Sequence, residues 1–224
     1  MQLMERYSKE YARDYALRVL KANIISLDLA PGSMLSEGDL AAQLGLSRTP
    51  VREALIELAK TNIVEVLPQC GCRICLIDHN MVTQSRFLRL VLEKAVVQLA
   101  CESPVELDLS EMEENLKLQQ FYLDNHAPGK LLELDDKFHR ELFRVTNMMQ
   151  TYQLMDSMMV HFNRVRSLTL WTIKDTKIVE DHKQLLQAIR ERDTVKAQAL
   201  ITKHLDRSKV DEDALQKKHP QYFK

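Results

Sequence analysis

The run Ser47-Arg48-Thr49-Pro50-Val51-Arg52-Glu53-Ala54-Leu55 constrains this 224-residue chain more than any other stretch. Val51, Ala54, Leu55 and Leu58 recur at i, i+3, i+4 and i+7, which gives a helix one buried face. Pro50 falls in its first turn, where a missing backbone N–H does no harm, and Ser47 is placed to cap it. A second short helix precedes it. Ser36, with Asp39 three residues on, reads as a capping-box-like start, and Leu40, Ala41 and Leu44 form an apolar stripe. Gly45 ends that helix, because glycine takes the left-handed conformation without steric cost and lets the chain reverse within Gly45-Leu46.

Arg48 and Arg52 occupy another face of the second helix, with Thr49 beside them. Guanidinium groups pair bidentately with guanine, and hydroxyls and backbone N–H groups hold phosphates, so this helix start suits the major groove of DNA. Ile63-Val64-Glu65-Val66-Leu67, a turn around Gly71, and Arg73-Ile74-Cys75-Leu76 then read as a two-stranded wing. A merely solvated helix would not explain why cap, turn and strand signals agree.

With these residues in view, positions 10 to 77 resemble the winged helix-turn-helix of the GntR family of bacterial transcription regulators. The match runs through Pro31-Gly32, Leu40-Ala41, Leu44-Gly45, the Ser47 to Leu55 run and Gly71. The resemblance implies that Ser47, Arg48, Thr49 and Arg52 contact double-stranded DNA and that the wing at Gly71 approaches the minor groove. Two departures from the pattern stand out. Gly38 stands where many relatives carry a phosphate-contacting arginine, and Cys70 and Cys72 flank Gly71 where polar or basic residues are common.

Net charge does not advertise a nucleic-acid partner: 31 Lys and Arg face 32 Asp and Glu, for a formal charge of -1. Local placement has to supply the attraction, since charges more than about 10 Å apart are screened at ordinary salt. Affinity is therefore expected to need two copies on a palindromic operator. The length suits a small domain at 1–77 and a larger one at 78–224. No apolar run is long enough for a membrane span, and no signal-peptide core follows the charged N-terminus. The four cysteines, without secretory context, point to a reducing cytoplasm. Cys70, Cys72 and Cys75 have poor zinc spacing and read either as small apolar strand residues or as oxidisable thiols; Cys101 reads as core.

Beyond residue 78 the apolar positions follow helical spacing throughout, so the fold class is mainly α: a winged N-terminal domain and an all-α C-terminal bundle. Helices are expected at 79–102, 110–125, 129–146, 148–172, 174–192 and 194–213. Turns fall at Ser103-Pro104, Pro128-Gly129, Thr146-Asn147 and Arg192-Asp193. The Lys217-Lys218-His219-Pro220 tail is expected to fray.

Asp135 and His139 lie four apart on one helix and so project from one face. His182 and His204 sit among apolar neighbours on two later helices. One carboxylate and three imidazoles form a donor set for a divalent Zn, Ni, Mn, Co or Fe ion, although a helical histidine on an apolar face is more often a hydrogen-bonded core residue. Residues 79 to 210 resemble the FCD domain, the helical effector domain of the FadR subfamily. The match runs through Arg89-x-x-Leu92-Glu93, Asp135-x-x-Phe138-His139, Asn147, Asp181-His182-x-x-Leu185-x-x-Ala188-Ile189, Asp193, Ala197 and His204-Leu205.

That resemblance implies a metal held by Asp135, His139, His182 and His204, and a small carboxylate metabolite held near it with help from Arg89. Arg89 equally suits an intrahelical pair with Glu93. Asn163, Arg164 and Arg166 are weaker candidates, because the sequence does not say which faces inward. His79, His126, His161 and His219 have no match in the pattern and read as solvated or core. The alternative, a metal-dependent enzyme using the same cluster, lacks a His-Glu-x-x-His motif or a second carboxylate cluster to act as general base. The expectation is a cytoplasmic, homodimeric, effector-responsive regulator and not an enzyme.

Overall fold

The computed structural model describes residues 1–67, 70–172, 177–206 and 212–224. The chain forms two compact units: Met1–Val82 with Val160–Val165 and Leu215–Lys224, and Thr83–Met159 with Arg166–Ala214.

The first unit opens with α1 (Ala12–Ile25), β1 (Met34–Leu35), α2 (Glu37–Leu44) and α3 (Arg48–Lys60), followed by β2 (Val64–Leu67) and β3 (Gly71–Ile74). Val19, Leu20 and Ile24 of α1, Leu40 and Leu44 of α2, and Val51, Ala54, Leu55 and Leu58 of α3 close one apolar core with Ile63 and Ile74. Each of the Val, Leu and Ile side chains contributes about 1.5–3 kcal/mol on burial. The caps explain the helix lengths. Ser36 Oγ accepts the Asp39 N–H at 3.4 Å, and Gly45 ends α2 at φ 64. Ser47 occupies the N-cap position of α3, yet its side chain makes no capping bond; this corrects the expected cap and leaves the hydroxyl to other partners.

The wing has three strands where two were expected, in the order β1-β3-β2. The third is β1, whose Leu35 pairs with Cys72 across a long sequence separation. Gly71 is required there. It sits at φ +93, and a Cβ on it would stand 2.5 Å from the Leu35 carbonyl oxygen. The C-terminal tail is ordered, contrary to the expected fraying. Leu215 and Phe223 are buried, Ile77 bridges to Phe223, and Lys224 Nζ pairs with Asp78 at 2.9 Å.

The second unit draws on α4 (His79–Cys101), α5 (Ser110–Asp124), α6 (Pro128–Val145), α7 (Met149–Met158), α8 (Val160–Thr172), α9 (Lys177–Arg190) and α10 (Thr194–Asp206). A further helix, α11, spans Glu212–Lys218. The helix expected at 148–172 is broken into α7 and α8 at Met159. No Gly or Pro marks the break; Ser85 Oγ donates to the Met158 carbonyl at 2.6 Å, so a tertiary bond satisfies a group that the helix ladder has released. The expected helix starts at 174–176 and the end of the expected 194–213 helix at 207–211 lie outside the described residues. Asn147 at φ 59 and Arg192 at φ 57 make the turns after α6 and α9. Neighbouring α5, α6, α9 and α10 pack together, which places the faces of α6, α9 and α10 that carry Asp135, His139, His182 and His204 in one interior. No helix among the described residues is long and apolar enough to cross a membrane.

Candidate metal centre and nucleic-acid interface

α6 and α9 carry their polar candidates inside apolar stripes. On α6, Leu131, Asp135, Phe138, His139 and Leu142 are buried; on α9, Val179, His182, Leu185, Leu186 and Ile189 are. The same spacing that buries a leucine therefore buries a carboxylate or an imidazole. The Phe138 ring stacks on His182 with centroids 4.2 Å apart and fixes that imidazole's plane. The three Nε2 atoms converge: His139 to His204 is 3.1 Å, His182 to His204 is 3.3 Å and His182 to His139 is 3.4 Å. Asp135 Oδ1 lies 3.5 Å from His182 Nε2 and 3.9 Å from the other two.

Each imidazole faces an acceptor at its other nitrogen. Glu93 Oε2 is 2.6 Å from His139 Nδ1, Gln119 Oε1 is 2.9 Å from His182 Nδ1, and Asp181 Oδ2 is 3.7 Å from His204 Nδ1. For His139 and His182, a partner this close favours the proton on Nδ1 and leaves the Nε2 lone pair free; Asp181 lies beyond hydrogen-bond distance of His204. Burial opposes the charge of Glu93, but Arg89 and His139 outweigh it and hold its carboxyl at about 2. Asp135 follows the same logic: burial opposes its ionisation, while Arg166 and the three histidines hold it below the usual carboxylate range. Burial lowers His139, and it lowers His182 further still, so both favour the neutral form that ligates.

These residues fit a divalent cation. Three buried lone pairs aimed at one point repel each other unless a positive charge stands between them. Two ligands on a tetrahedral ion with bonds of roughly 2.0–2.1 Å stand about 3.3 Å apart, close to the spacings seen. Among the described residues this is the one group of histidine, cysteine and acidic side chains arranged to share an ion.

Arg89 is buried and donates from Nε to Glu93 Oε1 at 2.7 Å, so it reaches His139 through Glu93. Arg166 pairs with Asp135 and with Asp136. Arg164 and Asn163 belong to the first unit. There Arg164 donates from Nη2 to the Cys75 carbonyl at 2.6 Å. His161 is a core histidine: its Nδ1 accepts the Asp78 N–H at 3.1 Å and its Nε2 lies 3.2 Å from the Asn62 carbonyl. His79 and His126 are exposed, and His219 stacks on Tyr222. Cys72 and Cys101 are buried, Cys75 is half-buried and Cys70 is exposed, all as free thiols.

Sequence reasoning offered Glu93 only as an ion-pair partner for Arg89, a pair the structure makes, and gave no role to Gln119 or Asp181. Glu93 had a signal, four residues after Arg89 on one helix. Gln119 had none, because it meets His182 only through tertiary packing.

In the first unit, Ser47, Arg48, Thr49 and Arg52 line the exposed start of α3. Arg52 Nε stands 3.8 Å from Glu37 Oε1. The Arg48 guanidinium lies over Gly38, where a Cβ would meet Nη2 at 3.3 Å. The missing side chain at Gly38 therefore leaves room for an arginine supplied by the next helix. Gly71 starts β3, and the neighbouring strand charges Arg73 and Glu65 pair at 2.6 Å.

Residues 85–207 match the FCD domain family and residues 15–74 match the family described as bacterial regulatory proteins, gntR family. An uncharacterized HTH-type transcriptional regulator in an unstable DNA locus of Streptomyces ambofaciens is 32% identical over 94% of this chain and 89% of its own. The HTH-type transcriptional repressor RspR of Escherichia coli is 28% identical over 84% of this chain and 83% of its own. The solved structure of E. coli McbR/YncC shares the fold, with a TM-score of 0.79 at 22% identity, over 94% of this chain and 99% of that one. These relatives are named as regulators, and the enzyme alternative is set aside. With a gntR-type helix-turn-helix ahead of an FCD domain, the chain belongs to the GntR family of bacterial transcriptional regulators.

Proposed function

We propose that this regulator binds a palindromic operator as a cytoplasmic homodimer and that a small carboxylate metabolite, bound at a divalent metal, sets its grip on DNA. In this reading residues 1–77 read DNA and residues 78–224 carry metal, effector and dimer contacts. The observation that carries it is the convergence of three Nε2 atoms within 3.1–3.4 Å beside Asp135. Asp135, His139, His182 and His204 hold the ion, which when bound would take a carboxylate oxygen by expanding its shell beyond these four ligands. Arg89, buried next to this shell, supplies a guanidinium for the carboxylate. Ser47, Arg48, Thr49 and Arg52 enter the major groove and the Gly71 wing follows the minor groove.

An exposed apolar stripe on α4 supports the dimer. Phe87, Val91 and Leu99 are 70%, 48% and 43% exposed at helical spacing, and such a stripe is normally covered by a partner. A second copy of the chain suits it, because a twofold pair places two recognition helices on one operator. Phe87→Glu should shift the protein to monomer in light scattering and weaken operator binding with it.

The test of the whole reading is linkage. A thermal-shift screen of small carboxylates, with and without metal, identifies a ligand that stabilises only the loaded protein. That ligand should change affinity for a duplex selected from a random pool by roughly 5- to 150-fold, and the duplex should change ligand affinity by the same factor. Unequal factors, or no carboxylate that depends on metal, would refute it.

A further inference from the structure

We infer that Arg166 is a positioning residue that holds Asp135 to one metal-facing oxygen and so sets which ion the centre prefers. This rests on the reading of Asp135, His139, His182 and His204 as a metal centre. Arg166 Nη2 pairs with Asp135 Oδ2 and Nη1 with Asp136 Oδ1, so one planar fork spans two adjacent carboxylates. The side chains of Arg166 and Asp135 are 12% and 8% exposed. Asp135 Oδ1 is left to face the imidazoles, at 3.5 Å from His182 Nε2. The two oxygens of Asp135 thus have separate tasks.

The division matters because a carboxylate free at both oxygens can swing to hold an ion with two. Zinc favours four ligands at tetrahedral spacing, whereas manganese prefers oxygen donors and octahedral sites. A guanidinium on Oδ2 blocks the second oxygen. Asp136 anchors the other arm of the fork, which keeps the guanidinium plane from turning away. Asp136 is one residue on from Asp135 and leaves their common helix in a different direction, so only a side chain as long and rigid as arginine joins the two.

The experiment loads wild type and Arg166→Gln with cobalt(II), then competes zinc against manganese on each. In wild type the visible cobalt band should be intense, as for a low-coordinate ion. In Arg166→Gln it should weaken, and the manganese-to-zinc affinity ratio should rise about tenfold, the scale of outer-partner effects on metal sites. Arg166→Lys, which keeps the charge without the fork, should fall between them. An unchanged band and ratio in Arg166→Gln overturns the proposal; so does Arg166→Lys behaving as wild type, which would make charge alone the cause. If Arg166→Gln does not fold, the metal-loaded wild-type crystal structure decides: one Asp135 oxygen on the ion supports the assignment and two overturn it. Wild type that takes up neither zinc nor manganese overturns the metal reading itself, and this inference with it.

Discussion

Glu93 Oε2 lies 2.6 Å from His139 Nδ1, and its other oxygen accepts the Arg89 Nε–H at 2.7 Å. A buried carboxylate so placed favours one tautomer and one direction of the imidazole: the Nδ1 proton faces Glu93 and the Nε2 lone pair faces His182 and His204. Arg89 makes the charge of Glu93 tolerable in that interior.

Glu93→Gln keeps the volume but removes the charge that orients His139. Metal affinity should fall by about 10–100-fold, read by competition with a chromophoric chelator. Wild-type affinity would show that His139 is held by packing alone.

Gly71 and Gly45 both have positive φ, but only Gly71 is crowded, with the Leu35 carbonyl in the way of a Cβ. Gly71→Ala should cost about 1–3 kcal/mol from backbone strain, plus disruption of the β1–β3 pairing. Gly45→Ala meets nothing within 4 Å and should cost only the left-handed penalty, about 1–2 kcal/mol. Urea midpoints check the order; equal losses would mean that β1 does not constrain the wing.

Arg48→Ala and Arg52→Ala should each cost about 1–3 kcal/mol per half-site where the arginine reads a base, and should flatten the salt dependence by about one unit of slope where it holds phosphate. Binding to selected duplexes across a salt series separates the two. Unchanged affinity in both variants would contradict the placing of α3 in the groove.

His161 should make stability depend on pH. Burial, then Arg164, lowers it from 6.5 to about 4, so between those values the unfolded chain binds the extra proton. The stabilisation is therefore complete above about pH 6.5 and lost as pH falls toward 4, by up to about 3 kcal/mol. His161→Gln should flatten that part of the profile in urea melts at stepped pH; an unaltered slope would assign it to other groups.

The helix-turn-helix was legible because its causes are local. Leu40, Gly45, Val51 and Leu55 carry cap, turn and period in adjacent residues, and the structure follows them. The candidate metal cluster was half legible: Asp135 and His139 share a helix face by spacing, but His182 and His204 joined them only through a family pattern. Long-range contacts were invisible. Met34–Leu35 is too short to read as a strand without its partner Cys72, the Met159 break depends on Ser85, and Phe223 is ordered by Ile77. Arg166 could not be assigned a face, because a helix buried on several sides has no single apolar stripe.

Metal content bears most directly on the central claim. Protein purified without chelator and loaded with zinc should hold one ion per chain by elemental analysis. His139→Ala, His182→Ala and His204→Ala should each hold less, and the Asp135→Ala, His139→Ala double variant none, with uptake in wild type falling as pH drops because imidazoles must be neutral to ligate. Full stoichiometry in the double variant, or none in wild type, would contradict the account.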